Sequence, residues 1–158
     1  MDLDALVTDI VDLYEPIAET KGIRLSHVAG DGPMQVQGDR DLLIEVLANL
    51  VDNAIKFTPE RGWVQIRTRM SGDCALLQVV DTGIGIPAGE RKAVMGRFYR
   101  SDKSRHIPGS GLGLSLVSAI LALHHARLDI MPSRMHDSLP GATMSIIFPP
   151  SNVIQTGN

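Results

Sequence analysis

One cysteine, Cys74, stands in the whole chain. That excludes an intrachain disulfide and suits a reducing compartment, where the residue is expected to pack as a small buried hydrophobe. No apolar run approaches the ~20 residues that span a bilayer, and the first residues lack the apolar core of a secretion signal. A cation excess is missing too: 15 Lys and Arg face 18 Asp and Glu, a formal charge of -3. A protein that wraps nucleic acid needs the opposite balance, because each phosphate contact asks for a basic group. Internal repeats are absent, and nothing marks a second-domain boundary. Neither common phosphate signature occurs: no glycine run ends in Gly-Lys-Ser/Thr, and none has the Gly-x-Gly-x-x-Gly spacing. What remains is ordinary globular composition, 158 residues with 44% apolar and 21% charged. That is enough for one domain burying roughly two thirds of its unfolded surface. The expectation is a soluble, cytoplasmic unit with no membrane contact of its own.

Residues 3, 6, 7, 10, 13, 14 and 17 are apolar behind Asp2, the spacing of a capped helix over Leu3 to Ala18. Pro16 is expected to bend or shorten that helix, and Gly22 to stop it. Ile23 to Val28 alternates as a strand, and Met34 to Gln37 reads as a short one. Asp39 caps a second helix to about Phe57, ended by Thr58-Pro59. Trp63 to Met70 and Ala75 to Val80 form the arms of a hairpin. Residues 82–110 hold glycines and two prolines without periodicity, so a long mobile segment is expected, of the kind that is usually functional. Leu112 to His124 predicts a third helix. Arg127 to Met131 and Ala142 to Phe148 predict two more strands. From Pro149 the chain is expected to fray.

Three motifs carry chemistry. On the second helix Glu45, Asn49, Asp52, Asn53 and Lys56 share about a third of the circumference, opposite Val46, Leu47, Leu50, Val51 and Ala54. Asparagine is a poor helix former, so two of them one turn apart suggest a purpose. Their side-chain carbonyls can face one hard cation such as magnesium, with Lys56 near a phosphate. A strand then delivers Asp81 to Thr82-Gly83-Ile84-Gly85, where a carboxylate can accept from an exocyclic amine beside exposed backbone. Finally Gly109-Ser110-Gly111-Leu112-Gly113 precedes a helix, whose free amides and dipole favour anions. Between these turns lie Arg91, Lys92, Arg97, Arg100, Lys103 and Arg105, interrupted by Phe98 and Tyr99. That pattern suggests a lid that docks aromatics and offers arginine to phosphate.

With these residues in this order the chain resembles the catalytic, ATP-binding domain of bacterial two-component sensor histidine kinases. That group shares the Bergerat fold with gyrase, the Hsp90 chaperone and the mismatch-repair ATPase. Its N box is similar to Glu45–Phe57 and its first glycine box to Asp81–Gly85. The lid phenylalanine motif is similar to Arg97–Asp102, and the second glycine box to Gly109–Gly113. Gly141-Ala142-Thr143 resembles the threonine-bearing start of the last strand. The likeness runs from about residue 3 to 149, with 150–158 as a disordered tail. Met95-Gly96 stands where the family usually has phenylalanine and glutamate, and His125-Ala126 where it usually has two glycines.

The resemblance implies a two-layer α/β sandwich, a mixed, mostly antiparallel sheet of about five strands covered by three helices, with a mobile ATP lid. It implies that Asn53 and Asn49 hold Mg²⁺ between phosphates, that Lys56 contacts phosphate, and that Phe57 flanks the nucleotide. Asp81 would accept from the adenine amine, with Gly83, Gly85 and Ile86 around the ring. Arg97, Tyr99 and Arg100 in the lid, with Gly109, Ser110 and the amides of Gly111, Leu112, Gly113 and Leu114, would meet the phosphates. Thr143 would close the adenine end, and Glu45 would orient an incoming imidazole. The partners implied are a dimerisation domain carrying the acceptor histidine and a response regulator. None of His27, His106, His124, His125 or His136 has the sequence context of that acceptor. The chain is therefore expected to be a catalytic fragment that binds ATP without modifying itself. Two alternatives are a nucleotide-binding scaffold without kinase activity and a gyrase-type ATPase. The second needs a glutamate base where Asn49 stands, because an amide cannot take a proton from water.

Overall fold

Two aspartates start the long helices. Asp2 accepts from the amides of Asp4 and Ala5 and opens α1, Leu3–Lys21. Asp39 accepts from Leu42 and opens α2, Arg40–Phe57. Each satisfies amides that the first helical turn leaves without partners. The computed structural model describes residues 1–85, 114–133 and 139–155. Helix α1 runs uninterrupted past Pro16 to Gly22, which ends it at φ 76, so the expected shortening does not occur. Pro16 and Asp12, whose carbonyl loses its amide partner, both lie on the exposed face, where water can satisfy that oxygen.

Strands β1 (Arg24–Val28), β3 (Trp63–Ser71), β4 (Cys74–Asp81), β5 (Arg127–Met131) and β6 (Ala142–Phe148) form one sheet in the order β1-β3-β4-β6-β5. β1 lies parallel to β3 and the other pairs are antiparallel. Helices α1, α2 and α3 (Leu114–Leu123) are the other layer, and the expected architecture stands. Leu47, Leu50, Ile66, Leu77, Leu121 and Ile146 are fully buried between the layers. Cys74, at the start of β4, is only half-buried rather than a core residue.

The tail expected to fray after Phe148 is instead folded through Ile154. Pro150–Asn152 makes one 3-10 turn, and Val153–Ile154 (β7) pairs with Gln35–Val36 (β2). The buried Asn152 donates its amide to the carbonyls of His124 and Gln37. β2 is correspondingly shorter than the expected span from Met34 to Gln37. A two-residue strand has no periodicity to read, and its partner lies more than a hundred residues away in the chain.

Candidate nucleotide site

Asp81 ends β4 with its side chain on the helix face of the sheet, 6% exposed. Oδ1 accepts from the amides of Gly83 at 2.8 Å and Ala142 at 3.1 Å. Burial nevertheless pushes its pKa up from 3.8 to about 6, the two backbone bonds opposing the shift. A perturbed carboxyl in a cleft is a mark of a functional site. Asp81 borders a small cleft with about 20 Å³ of solvent-accessible space. Leu50, Ala54, Val79 and Met144 give it apolar walls, Asn53 adds a second polar group, and Phe57, Gly85 and Ala142 complete the lining. An apolar slot with a few convergent polar groups is the usual form of a small-molecule site. A wider groove with about 640 Å³ of solvent-accessible space lies elsewhere, beside Glu15, Glu19, Arg24, Arg61 and Trp63. Its ionisable groups are all exposed, so the smaller cleft is the better candidate.

Asn53 reaches this cleft from the inner edge of the polar stripe, 3% exposed, while Glu45 is exposed. Its amide donates to Asn49 Oδ1 at 3.1 Å. The two carboxamides are therefore in direct contact, one helical turn apart. Lys56 pairs with Asp52 at 2.9 Å, one turn back, and an exposed i,i+4 pair of this kind contributes little to stability. Asp52 in turn faces Tyr14, whose phenol is shifted upward by burial and, secondarily, by that carboxylate.

The glycines of the Asp81 turn answer first to the chain itself. A side chain at Gly83 would place Cβ 2.4 Å from the carbonyl oxygen of Phe57. Gly83 makes room for the end of α2 and does not line the cleft. Gly85, at φ +72, does line it; a Cβ there would also stand 2.6 Å from the Gly141 carbonyl. Thr143 is not brought to the cleft. Asp81 pairs with Ala142, and strand alternation turns Thr143 to the opposite face while Ala142 and Met144 line the slot. Sequence reading missed Ala142 by one residue, since only the register with β4 settles which side chain faces inward. Leu114 begins α3 with its side chain fully buried. Ile86, Arg97, Tyr99, Arg100, Gly109, Ser110, Gly111, Leu112 and Gly113, and with them the expected lid, lie outside the described residues.

Among the described histidines none is poised as a phosphoryl acceptor. His124 is buried, with Nδ1 against the Ile120 carbonyl and Nε2 accepting from the Asp39 amide. His27 Nε2 lies 3.2 Å from Asp4, and His125 is exposed at the turn that ends α3. No described helix is long and apolar enough to cross a membrane.

The mixed sheet, the helix with paired asparagines and the buried strand-end aspartate define a class of ATPase fold. The family of histidine kinase-, DNA gyrase B- and HSP90-like ATPases matches residues 38–152, and the chain belongs to it. The sensor protein SphS of Synechococcus elongatus is 35% identical over 94% of this chain and 37% of its own length. The sensor-like histidine kinase SenX3 of Mycobacterium tuberculosis is 37% identical over 82% of this chain and 32% of its own. The chain thus spans about a third of these curated relatives. The solved mycobacterial sensor histidine kinase MprB has a TM-score of 0.85 at 31% identity, covering 94% of this chain and 96% of that one. The catalytic domain of histidine kinase ThkA, at 24% identity, shares the fold with a TM-score of 0.78 over 95% of this chain and 93% of its own. This is a histidine-kinase-type ATPase domain of the kind found in sensor kinases.

Proposed function

We propose that this chain binds Mg-ATP in the cleft beside Asp81 and donates the γ-phosphoryl group to a histidine on a separate dimerisation domain. One observation carries the reading: a buried carboxyl, one oxygen fixed by two backbone amides, at the end of an apolar slot that also holds Asn53. As a carboxylate its second oxygen can accept from the adenine amine, while Phe57 flanks the base and Gly85 lets it lie close to the backbone. A charge-assisted bond of this kind contributes roughly 1.5–3 kcal/mol.

The donor set fits a magnesium ion that arrives with phosphates. Asn49 and Asn53 offer neutral carboxamide oxygens, and among the described residues no cluster of three or more His, Cys, Asp or Glu exists to hold a cation unaided. Magnesium keeps water and phosphate oxygens for most of its shell, so two carboxamides suit it. When bound it supplies charge neutralisation. Lys56, released from Asp52, adds a cation on the same stripe, and Arg100 with the amides of residues 111–114 completes the phosphate contacts. Phosphoryl transfer asks mainly for such positioning and charge compensation. An imidazole nitrogen of the partner histidine attacks the γ-phosphorus, a P–N bond forms, and ADP leaves with the electrons of the broken P–O bond. Glu45, exposed one turn before Asn49, orients that imidazole. The phosphohistidine then supplies a response regulator in the cytoplasm. No residue of this chain serves as covalent intermediate.

Titrating Mg-ATP against the chain, followed by calorimetry or the single tryptophan Trp63, tests the site. Micromolar-range binding is expected, and no binding with magnesium present sinks the proposal.

A further inference from the structure

Every helix ends in four carbonyls without a donor in the helix itself. In α2 these belong to Ala54, Ile55, Lys56 and Phe57, and side chains or backbone groups from beyond the helix meet all four. Thr58 Oγ1 donates to Ala54 at 2.7 Å, and the Ile84 amide of the Asp81 turn donates to Phe57 at 3.2 Å. The middle pair is taken by one group from another helix: Lys21 Nζ, at the end of α1, lies 2.5 Å from the Ile55 oxygen and 2.8 Å from that of Lys56. Lys21 is half-buried there, and burial lowers the pKa of its amine.

We propose that Lys21 is a positioning residue for phosphate recognition, acting through the last turn of α2. This rests on the nucleotide reading of the cleft. α2 carries Asn53, Lys56 and Phe57 near its C-terminus, the end of a helix where the backbone dipole is negative. That is the wrong end for a triphosphate, unlike the N-terminus of α3. An ammonium bridging two of the terminal carbonyls offsets that charge and holds the turn from which Lys56 projects. A half-buried ammonium is also less screened than one in bulk water.

A cap that only stabilises α2 would affect every ligand alike; one that serves phosphate would discriminate. The test compares wild type, Lys21→Gln and Lys21→Arg for the dissociation constants of Mg-ATP and adenosine, with thermal melts alongside. Lys21→Gln keeps a donor and loses the charge. It is expected to weaken Mg-ATP by about tenfold and adenosine by less than about twofold, with Lys21→Arg recovering most of the loss. Equal loss for both ligands, or a lower melting temperature with unchanged affinities, overturns the role of Lys21 and leaves the nucleotide site standing. A wild-type chain that binds neither ligand overturns the nucleotide reading and this inference together.

Discussion

Asp81 gives the residue scale its clearest expectations, because the fold and the ligand ask opposite things of it. Its folded pKa of about 6 lies above the ordinary 3.8, so the folded chain holds this proton more tightly than the unfolded one. Its stabilising contribution is therefore fully present below about 3.8 and is lost as pH rises through about 6. Adenine recognition needs the ionised form, so affinity for adenosine should fall as pH drops through that same value. Adenosine is the right probe, since it carries no phosphate to titrate. Thermal melts and adenosine titrations between about pH 5 and 8 should move in opposite directions. Asp81→Asn should weaken Mg-ATP about tenfold or more while leaving the free chain at least as stable. Unchanged affinity reassigns the carboxyl to structure. The residue itself was legible in sequence, as an acid between a buried strand and a glycine turn. Its shift in pKa was not, because burial depends on Leu50, Val79 and Met144 arriving from three elements.

At the scale of elements, α1 and the C-terminal tail depart most from what pattern suggests. Pro16 lies inside α1 on its exposed face. Replacing it by alanine restores an amide to the helix and should raise stability, by up to about 3 kcal/mol on host–guest scales. A melting temperature that falls would mean that the proline's stiffness in the unfolded chain outweighs the lost bond. The tail holds β2 by strand pairing, and the approach to α2 and the end of α3 through one buried side chain, Asn152. Asn152→Ala leaves those carbonyls without their donor and should cost about 1–3 kcal/mol, a drop in melting temperature on the order of 5 °C. A chain ended at Phe148 should lose more. Melts indistinguishable from wild type would show that the tail contributes nothing to the domain. α2 itself was readable because its apolar and polar positions repeat at helical spacing over five turns. The clamp on its C-terminus was not, since Lys21 looks like any basic residue near a helix end until tertiary packing brings it to Ile55 and Lys56.

For the whole molecule, the decisive expectation is division of labour between domains. Incubated alone with γ-labelled ATP, the chain should acquire no label; mixed with the separate dimerisation domain proposed above, it should label that domain's histidine. Asn53→Ala should reduce the rate by at least about tenfold at saturating magnesium. Tight Mg-ATP binding with no transfer would favour a scaffold over a kinase. Residue order alone determined the alternation of the main helices and strands and the order of the three motifs from which the site is read. These are local properties: a period of 2 or 3.6, a cap, a glycine or an asparagine at a fixed offset. The tertiary structure alone decided that Ala142 and not Thr143 faces Asp81, that Gly83 yields to the Phe57 carbonyl, and that Lys21 caps α2. Each of these depends on the register or approach of segments tens of residues apart, and a shift of one position reverses the answer.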